Sequence, residues 1–143
     1  KNANEDKIID ACRKAVIHED IINFKRSYKT ILGERGVTLS GGQIQRVSIA
    51  RVFIKNPKIY LFDDCLSAVD NDTEEKILKN LKSISNNKTT IIVSHRVSSL
   101  KHADQIIVFE NGKIVQQGKH TELIGVTGYY KELFEKQQAD QAK

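Results

Sequence analysis

Apolar residues recur at helical spacing in four stretches of the chain. These stretches are residues 5–24, residues 40–54, residues 72–84 and the segment after Gly128. Apolar positions spaced three and four residues apart share one face of a helix, so each stretch predicts a helix with one buried side. The first stretch is interrupted by charged residues and predicts two short helices. Gly33 and Gly36 break the pattern of residues 27–36, which we interpret as a loop.

Short apolar runs predict strands between these helices. The run at residues 59–62 ends abruptly in Asp63 and Asp64, and residues 89–93 form a second run of β-branched side chains. We expect the first of these strands to be buried. Residues 105–109 and 113–117 flank an Asn-Gly pair, which predicts a hairpin. The pattern indicates an α/β fold with a mostly helical lobe over residues 1–56 and the C-terminal part of an α/β core over residues 57–143.

Two helix starts have capping residues that the sequence itself reveals. Ser40 with Gln43 matches a capping box at the start of the second helical stretch. Asp72 with Glu75 is expected to cap the third helix. At the other end of the chain, the residues after Gln138 are polar, and we expect them to fray from the last helix.

Composition narrows the possible functions by exclusion. Hydrophobic residues make up 39% of the chain and charged residues 29%, as in ordinary globular proteins. No apolar run approaches the roughly 20 residues of a membrane-spanning helix. The net charge of +5 is spread among 18 acidic residues without a dense basic block, so nucleic acid is not an expected partner. Cys12 and Cys65 lack metal-ligand spacing and a disulfide framework, which fits a reducing cytoplasm.

The segment Leu39-Ser40-Gly41-Gly42-Gln43 carries the strongest chemical signal. It places a hydroxyl group and two bare backbone units at a helix start, where unpaired N–H groups and the positive end of the dipole favour an anion. Capping alone would explain Ser40 and Gln43. The complete five-residue string would occur by chance with a probability on the order of 10⁻⁴ in a chain of this length. The segment therefore predicts a phosphate site.

This string resembles the signature motif of ABC ATPases, and the motifs that follow it keep that family's order. Residues 59–64 resemble the Walker B strand, which implies that Asp63 holds Mg²⁺ near the phosphates of ATP. Residues 67–70 resemble the D-loop that crosses to a partner subunit, which implies that Asp70 contacts nucleotide. His95 resembles the switch histidine that senses the γ-phosphate. Taken alone, an acidic pair at a strand end or a single histidine is more often structural.

Upstream of the signature, the segment Gly33-Glu34-Arg35-Gly36 is similar to the X-loop of ABC exporters. The resemblance implies that Glu34 communicates with the coupling helices of a transmembrane domain. Without its position next to the signature, this segment would equally well be a turn with an exposed ion pair.

Two features depart from the family pattern. The sequence contains no Gly-x-x-x-x-Gly-Lys-Ser/Thr loop and no match to the family's Q-loop, so we expect the chain alone to be inactive. The second departure is Asp64, where transport ATPases usually have glutamate as the catalytic base. Aspartate is one methylene shorter, and a displacement of about 1 Å in a catalytic group can cost on the order of 10²-fold in rate. Asp64 thus resembles the base position in the degenerate half of heterodimeric multidrug exporters, whose other half carries the competent glutamate.

The resemblance implies the C-terminal part of a P-loop NTPase core together with its helical signature subdomain. It implies ATP and Mg²⁺ as ligands, an ATPase activity coupled to export, and a location at the cytoplasmic face of a membrane. The implied partners are a second nucleotide-binding domain, identical or different, and a transmembrane domain. The alternative is an ABC ATPase of DNA repair or chromosome organisation, although such proteins lead into the signature from a long coiled coil. A fragment that only pairs with other domains is a third possibility.

Overall fold

The computed structural model describes residues 4–33 and 36–141, which divide into two compact units. The described residues up to Val93 form the first unit, and those from Ser94 form the second. The first unit contains α1 (Glu5–Lys14), α2 (His18–Ile22), a 3₁₀ turn (Ser27–Lys29), α3 (Gly41–Lys55), β1 (Ile59–Asp63), α4 (Asn71–Ile84) and β2 (Thr89–Val93). The second contains α5 (Val97–Leu100), β3 (Ile106–Glu110), β4 (Lys113–Gly118), α6 (His120–Leu123) and α7 (Tyr129–Gln141).

The first core forms where α1, α3 and α4 pack their apolar faces against β1. Small residues such as Ala11 on α1 and Ala50 on α3 allow these helices to approach closely. Tyr60 of β1 is fully buried, and its ring stacks on that of Phe62. The helices predicted in residues 5–24, 40–54 and 72–84 are therefore confirmed.

β1 and β2 pair in parallel, from Ile59 opposite Thr89 to Asp63 opposite Val93. The expectation that β1 is buried is wrong for two of its four apolar side chains. Tyr60 and Phe62 lie in the core, whereas Ile59 and Leu61 on the opposite face are 61% and 66% exposed. Alternate side chains of a strand point to opposite faces, and no described residue covers the outer face of this pair.

The N-cap of α4 lies two residues earlier than expected. The N-cap residue is Asp70, whose Oδ1 atom accepts a hydrogen bond from the backbone N–H of Thr73 at 2.9 Å. The expectation that Asp72 caps this helix is therefore wrong, because Asp72 already lies in the first helical turn. Its acidic side chain there still favours the positive end of the helix dipole.

The second unit contains the predicted hairpin. β3 and β4 pair antiparallel, with Glu110 opposite Lys113. Asn111 and Gly112 both have positive φ, as a two-residue type I′ turn requires. The second core consists of buried residues from α5, the hairpin, α6 and α7, namely Val97, Ile106, Val108, Leu123 and Tyr130. α7 continues as a helix to Gln141, and the fraying expected after Gln138 stays a prediction.

The predicted domain division at residue 56 stays a prediction. The structure places the helical lobe and β1 together in the first unit. In the predicted loop, the 3₁₀ turn at Ser27–Lys29 is followed by an isolated bridge between Leu32 and Val37. Glu34 lies outside the described residues. Within residues 4–33 and 36–141, no helix combines the length and apolar character that crossing a membrane requires.

Candidate functional site

The start of α3 forms the capping box predicted from the sequence. Ser40 is extended, and its hydroxyl oxygen accepts a hydrogen bond from Gln43 N–H at 3.3 Å. The Gln43 side-chain oxygen accepts one from Ser40 N–H at 3.0 Å. Between them, the N–H groups of Gly41 and Gly42 belong to the first turn, where backbone donors have no acceptor inside the helix. Leu39 is half-buried just before the cap. This helix start can therefore donate hydrogen bonds to an anion.

The loop formed by residues 64–70 packs against this first turn and makes one glycine necessary. A Cβ atom on Gly42 would lie 2.7 Å from the carbonyl oxygen of Ala68, closer than such atoms approach in proteins. A Cβ atom on Gly41 would lie 3.4 Å from the Ala68 Cβ, an ordinary contact. Gly41 is also exposed. Close packing thus requires glycine at position 42, whereas position 41 has room for a side chain.

Asp63 and Asp64 stand exposed at the carboxyl end of β1. Asp64 N–H donates to the Val93 carbonyl at 2.9 Å, one residue beyond the strand pairing. Asp64 has a φ of +44°, a left-handed conformation that aspartate tolerates better than most residues. In residues 4–33 and 36–141, no three His, Cys, Asp or Glu side chains cluster as metal ligands. The exposed carboxylate of Asp63 fits Mg²⁺, which typically takes one or two carboxylates and completes its shell with phosphates and water.

Asp70, predicted to contact nucleotide, has a structural task at the start of α4. The backbone hydrogen bond from Thr73 is the main reason that the pKa of the Asp70 carboxyl lies below its ordinary value. The carboxylate is therefore ionised at the helix start, where negative charge is favourable. Its role in nucleotide binding stays a prediction.

His95 belongs to the second unit and lies two residues after β2. Its side chain is exposed, and its backbone carbonyl accepts a hydrogen bond from Gln137 of α7 at 2.6 Å. The structure thus brings the signature segment and the 64–70 loop together in the first unit. His95 lies in the second unit.

Comparison with known proteins decides the family. A profile described as ABC transporter matches residues 3–67. The chain is 48% identical over 139 residues to the uncharacterized ABC transporter ATP-binding protein YknU of Bacillus subtilis, covering 97% of this chain and 24% of that protein. It is 43% identical over 136 residues to the mitochondrial ABC transporter B family member 24 of Arabidopsis thaliana, covering 95% of this chain and 20% of that protein. The chain belongs to the ABC transporter ATPase family.

The fold of this ABC ATPase chain agrees with that assignment. A solved structure described as a bacterial Atm1-family ABC exporter with ATP bound superimposes with a TM-score of 0.90 and 38% identity. The match covers 96% of this chain and 24% of that one. The chain therefore has the fold of the corresponding part of a P-loop NTPase core. It spans 20% to 24% of the length of these relatives.

Gln45, on the ABC signature helix, holds the D-loop and was missed by the sequence reasoning. Its side-chain oxygen accepts a hydrogen bond from Ala68 N–H at 3.0 Å, and its nitrogen donates to the Ser67 hydroxyl oxygen at 3.0 Å. One carboxamide thereby links the two motifs within the same chain. The contact joins residues 22 and 23 positions apart, so no local pattern could reveal it.

Asp20 of α2 also anchors the signature helix α3, through its side chains Gln43 and Arg46. Its Oδ1 atom accepts from the Gln43 side-chain nitrogen, and its Oδ2 atom accepts from Arg46, both at 2.8 Å. Arg46 also donates to the backbone carbonyl of Val16. Arg46 shares a helix face with Ile49, Ala50 and Phe53, and a charge on an apolar face is a sequence signal for a buried partner. Burial raises the pKa of Asp20, but hydrogen bonds from Gln43 and Arg46 and the charge of Arg46 outweigh it, so the pKa lies below its ordinary value.

Asp20→Ala is expected to lower the free energy of unfolding by about 2 kcal/mol, because Arg46 and Gln43 lose their partner in a partly buried site. The control is Asp10→Ala, which removes an exposed ion pair with Lys14 and should cost at most about 0.5 kcal/mol. Urea unfolding of the chain measures both.

The same pair of variants has a pH signature. The pKa of Asp20 is lowered in the folded state, so its contribution is present above the unfolded value of about 3.8 and is lost as the pH falls through the lower folded value. The stability difference between wild type and Asp20→Ala should therefore shrink below about pH 4. Equal losses for Asp10→Ala and Asp20→Ala would contradict the anchoring role.

Proposed function

We propose that this chain forms the signature and Walker B part of the nucleotide-binding domain of an ABC exporter. In the full-length protein, ATP hydrolysis at this domain would drive export, with the domain at the cytoplasmic face of the membrane. The observation that supports this most strongly is the open start of α3. There two bare glycines follow the Ser40 cap and pack on the loop that follows Asp63 and Asp64.

The charge distribution at the helix starts supports a phosphate ligand at α3. The first turns of α1 and α4 carry acidic side chains, which compensate the positive ends of their dipoles. The first turn of α3 carries none. The positive end of this helix therefore remains available to an anion that comes from elsewhere.

The proposed mechanism divides each ATP site between two domains. Ser40 and the Gly41 and Gly42 amides would contact the γ-phosphate of ATP held by the partner's P-loop, so that bound ATP joins the two domains and hydrolysis releases them. Bound Mg²⁺ supplies positive charge that neutralises the phosphates. Asp63 would be the metal ligand, Asp64 the catalytic base and His95 the γ-phosphate sensor. Asp70 would contact the partner domain, and Glu34 would be the coupling residue.

The proposed partners follow from this division. A second nucleotide-binding domain, identical or different, would supply the opposite P-loop. A transmembrane domain would receive the motion through its coupling helices. The alternative, an ABC ATPase of DNA repair, is disfavoured because the relatives with nearly complete coverage of this chain are named as transporters and the matching structure is an exporter.

The test compares the full-length protein in lipid vesicles with the 143-residue chain alone. We expect the full-length protein to hydrolyse MgATP at a rate that added DNA does not change. The chain alone should hydrolyse none and bind MgATP very weakly in calorimetry, because P-loop NTPases take most phosphate contacts from a loop that is absent from this sequence.

Each result has a distinct meaning. Micromolar binding of MgATP by the chain alone would refute the proposed division of the site. Hydrolysis that depends on DNA would favour the alternative function. Folding of the isolated chain is checked by circular dichroism, so that weak binding is not mistaken for unfolding.

A further inference from the structure

Gln137 on α7 bridges the backbone on both sides of Arg96. Its side-chain nitrogen donates to the His95 carbonyl at 2.6 Å, and its side-chain oxygen accepts from Val97 N–H at 2.9 Å. The bridged groups lie 42 and 40 positions from Gln137 in the sequence. Both the donor and the acceptor of one carboxamide are used, so the bridge fixes the His95 carbonyl and the Val97 amide.

The rest of this segment is held from the core side. Val97 is buried with Tyr130 in the second core, and Leu133 and Phe134 of α7 pack against the same cluster. The Ser94 hydroxyl oxygen accepts a hydrogen bond from Arg96 N–H at 3.0 Å. The backbone of residues 94–97 is thus fixed, whereas the imidazole of His95 is exposed. An exposed ring is not positioned by packing, so its location depends on the backbone that carries it.

We propose that Gln137 is a positioning residue for His95, so that α7 sets where the imidazole stands relative to the γ-phosphate of ATP. This inference rests on the role of His95 in the proposed function. A glutamine suits the task because it offers a donor and an acceptor at the end of one planar group. Glutamate has the same size but lacks the donor, and its charge repels the His95 carbonyl.

The experiment measures single-turnover ATP hydrolysis by the full-length protein at the site that uses this chain's His95. All variants carry Asp64→Glu, so that hydrolysis at this site is fast enough for a loss to be measured. The partner's glutamate is replaced by glutamine to silence the other site. We expect Gln137→Ala to lower the rate constant about 10-fold, since small displacements of a catalytic group are costly. The Kd for MgATP should change by less than about 2-fold, because the bridge acts on hydrolysis rather than on ground-state binding.

Three further variants separate positioning from packing. Gln137→Glu keeps the side-chain volume and should slow hydrolysis at least as much as Gln137→Ala. Gln138→Ala alters the neighbouring, exposed glutamine of the same helix and should hydrolyse ATP at the wild-type rate. In a His95→Ala background, Gln137→Ala should cause no further loss, because a residue that acts only through His95 cannot act without it.

Each contrary result overturns a defined statement. If His95→Ala is inactive while Gln137→Ala or Gln137→Glu hydrolyses ATP at the wild-type rate, the positioning role is wrong and the proposed function stands. A further 10-fold loss in the His95→Ala background would mean that Gln137 acts elsewhere, which also overturns the inference. If His95→Ala itself hydrolyses ATP normally, the assignment of His95 in the proposed function is wrong, and the inference is lost with it.

Discussion

Gly41→Asp in one subunit of the full-length protein is expected to slow ATP hydrolysis by about 10²-fold or more at the site whose P-loop belongs to the partner. The new carboxylate would stand where a phosphate has to approach a backbone amide. The structure indicates that this change leaves the fold intact, because Gly41 is exposed and a Cβ there makes only an ordinary contact with Ala68. An acidic residue in the first turn also stabilises a helix. Loss of activity would therefore report on charge at the site.

Two variants serve as controls for this result. Gly41→Asn has nearly the same size without the charge and should lose much less activity than Gly41→Asp. Gly42→Ala should also lose activity, but through the fold. Its methyl group would press on the Ala68 carbonyl and lower the free energy of unfolding by about 1–3 kcal/mol. The measurement is ATPase activity in assemblies that carry the change in one subunit only. Normal turnover with Gly41→Asp would refute a phosphate contact supplied across the dimer.

Asp64→Glu is expected to raise hydrolysis at this chain's own site by about 10²-fold, because the longer side chain reaches the attacking water. Asp64 is exposed, and its backbone is held by the hydrogen bond from its N–H to Val93. Its left-handed backbone costs glutamate at most about 1–2 kcal/mol. The glutamate carboxyl group should therefore lie closer to the attacking water without a shift of the loop backbone.

Asp64→Asn is the matched control, since asparagine also tolerates the left-handed backbone. If this site is degenerate, Asp64→Asn should leave total turnover nearly unchanged. Single-turnover hydrolysis is measured at each site, with the partner's glutamate replaced by glutamine. Fast hydrolysis with Asp64 that disappears in Asp64→Asn would show that aspartate is a competent base, as expected for a homodimeric exporter.

Local features of this fold followed from the sequence, because neighbouring residues determine them. The Ser40–Gln43 capping box and the Asn111-Gly112 turn formed as predicted. The burial of β1 depends on surroundings that lie farther away, and only its Tyr60 and Phe62 face is covered. The cap of α4 is local, but two nearby acids could fill it, and the structure uses Asp70, whose carboxylate accepts from Thr73 N–H, rather than Asp72.

The sequence by itself determined the family and the order of its motifs, because the signature segment, the strand-end acids and the strand-end histidine are contiguous patterns. Only the tertiary structure decided how those motifs are held. Gln45 binds the D-loop, Asp20 binds the signature helix and Gln137 binds the backbone around His95. These contacts join residues 23 to 42 positions apart, and a polar side chain on a helix has no local feature that reveals such a partner. The packing of the helices brings the donor and acceptor together, so these positioning residues emerge only once the chain has folded.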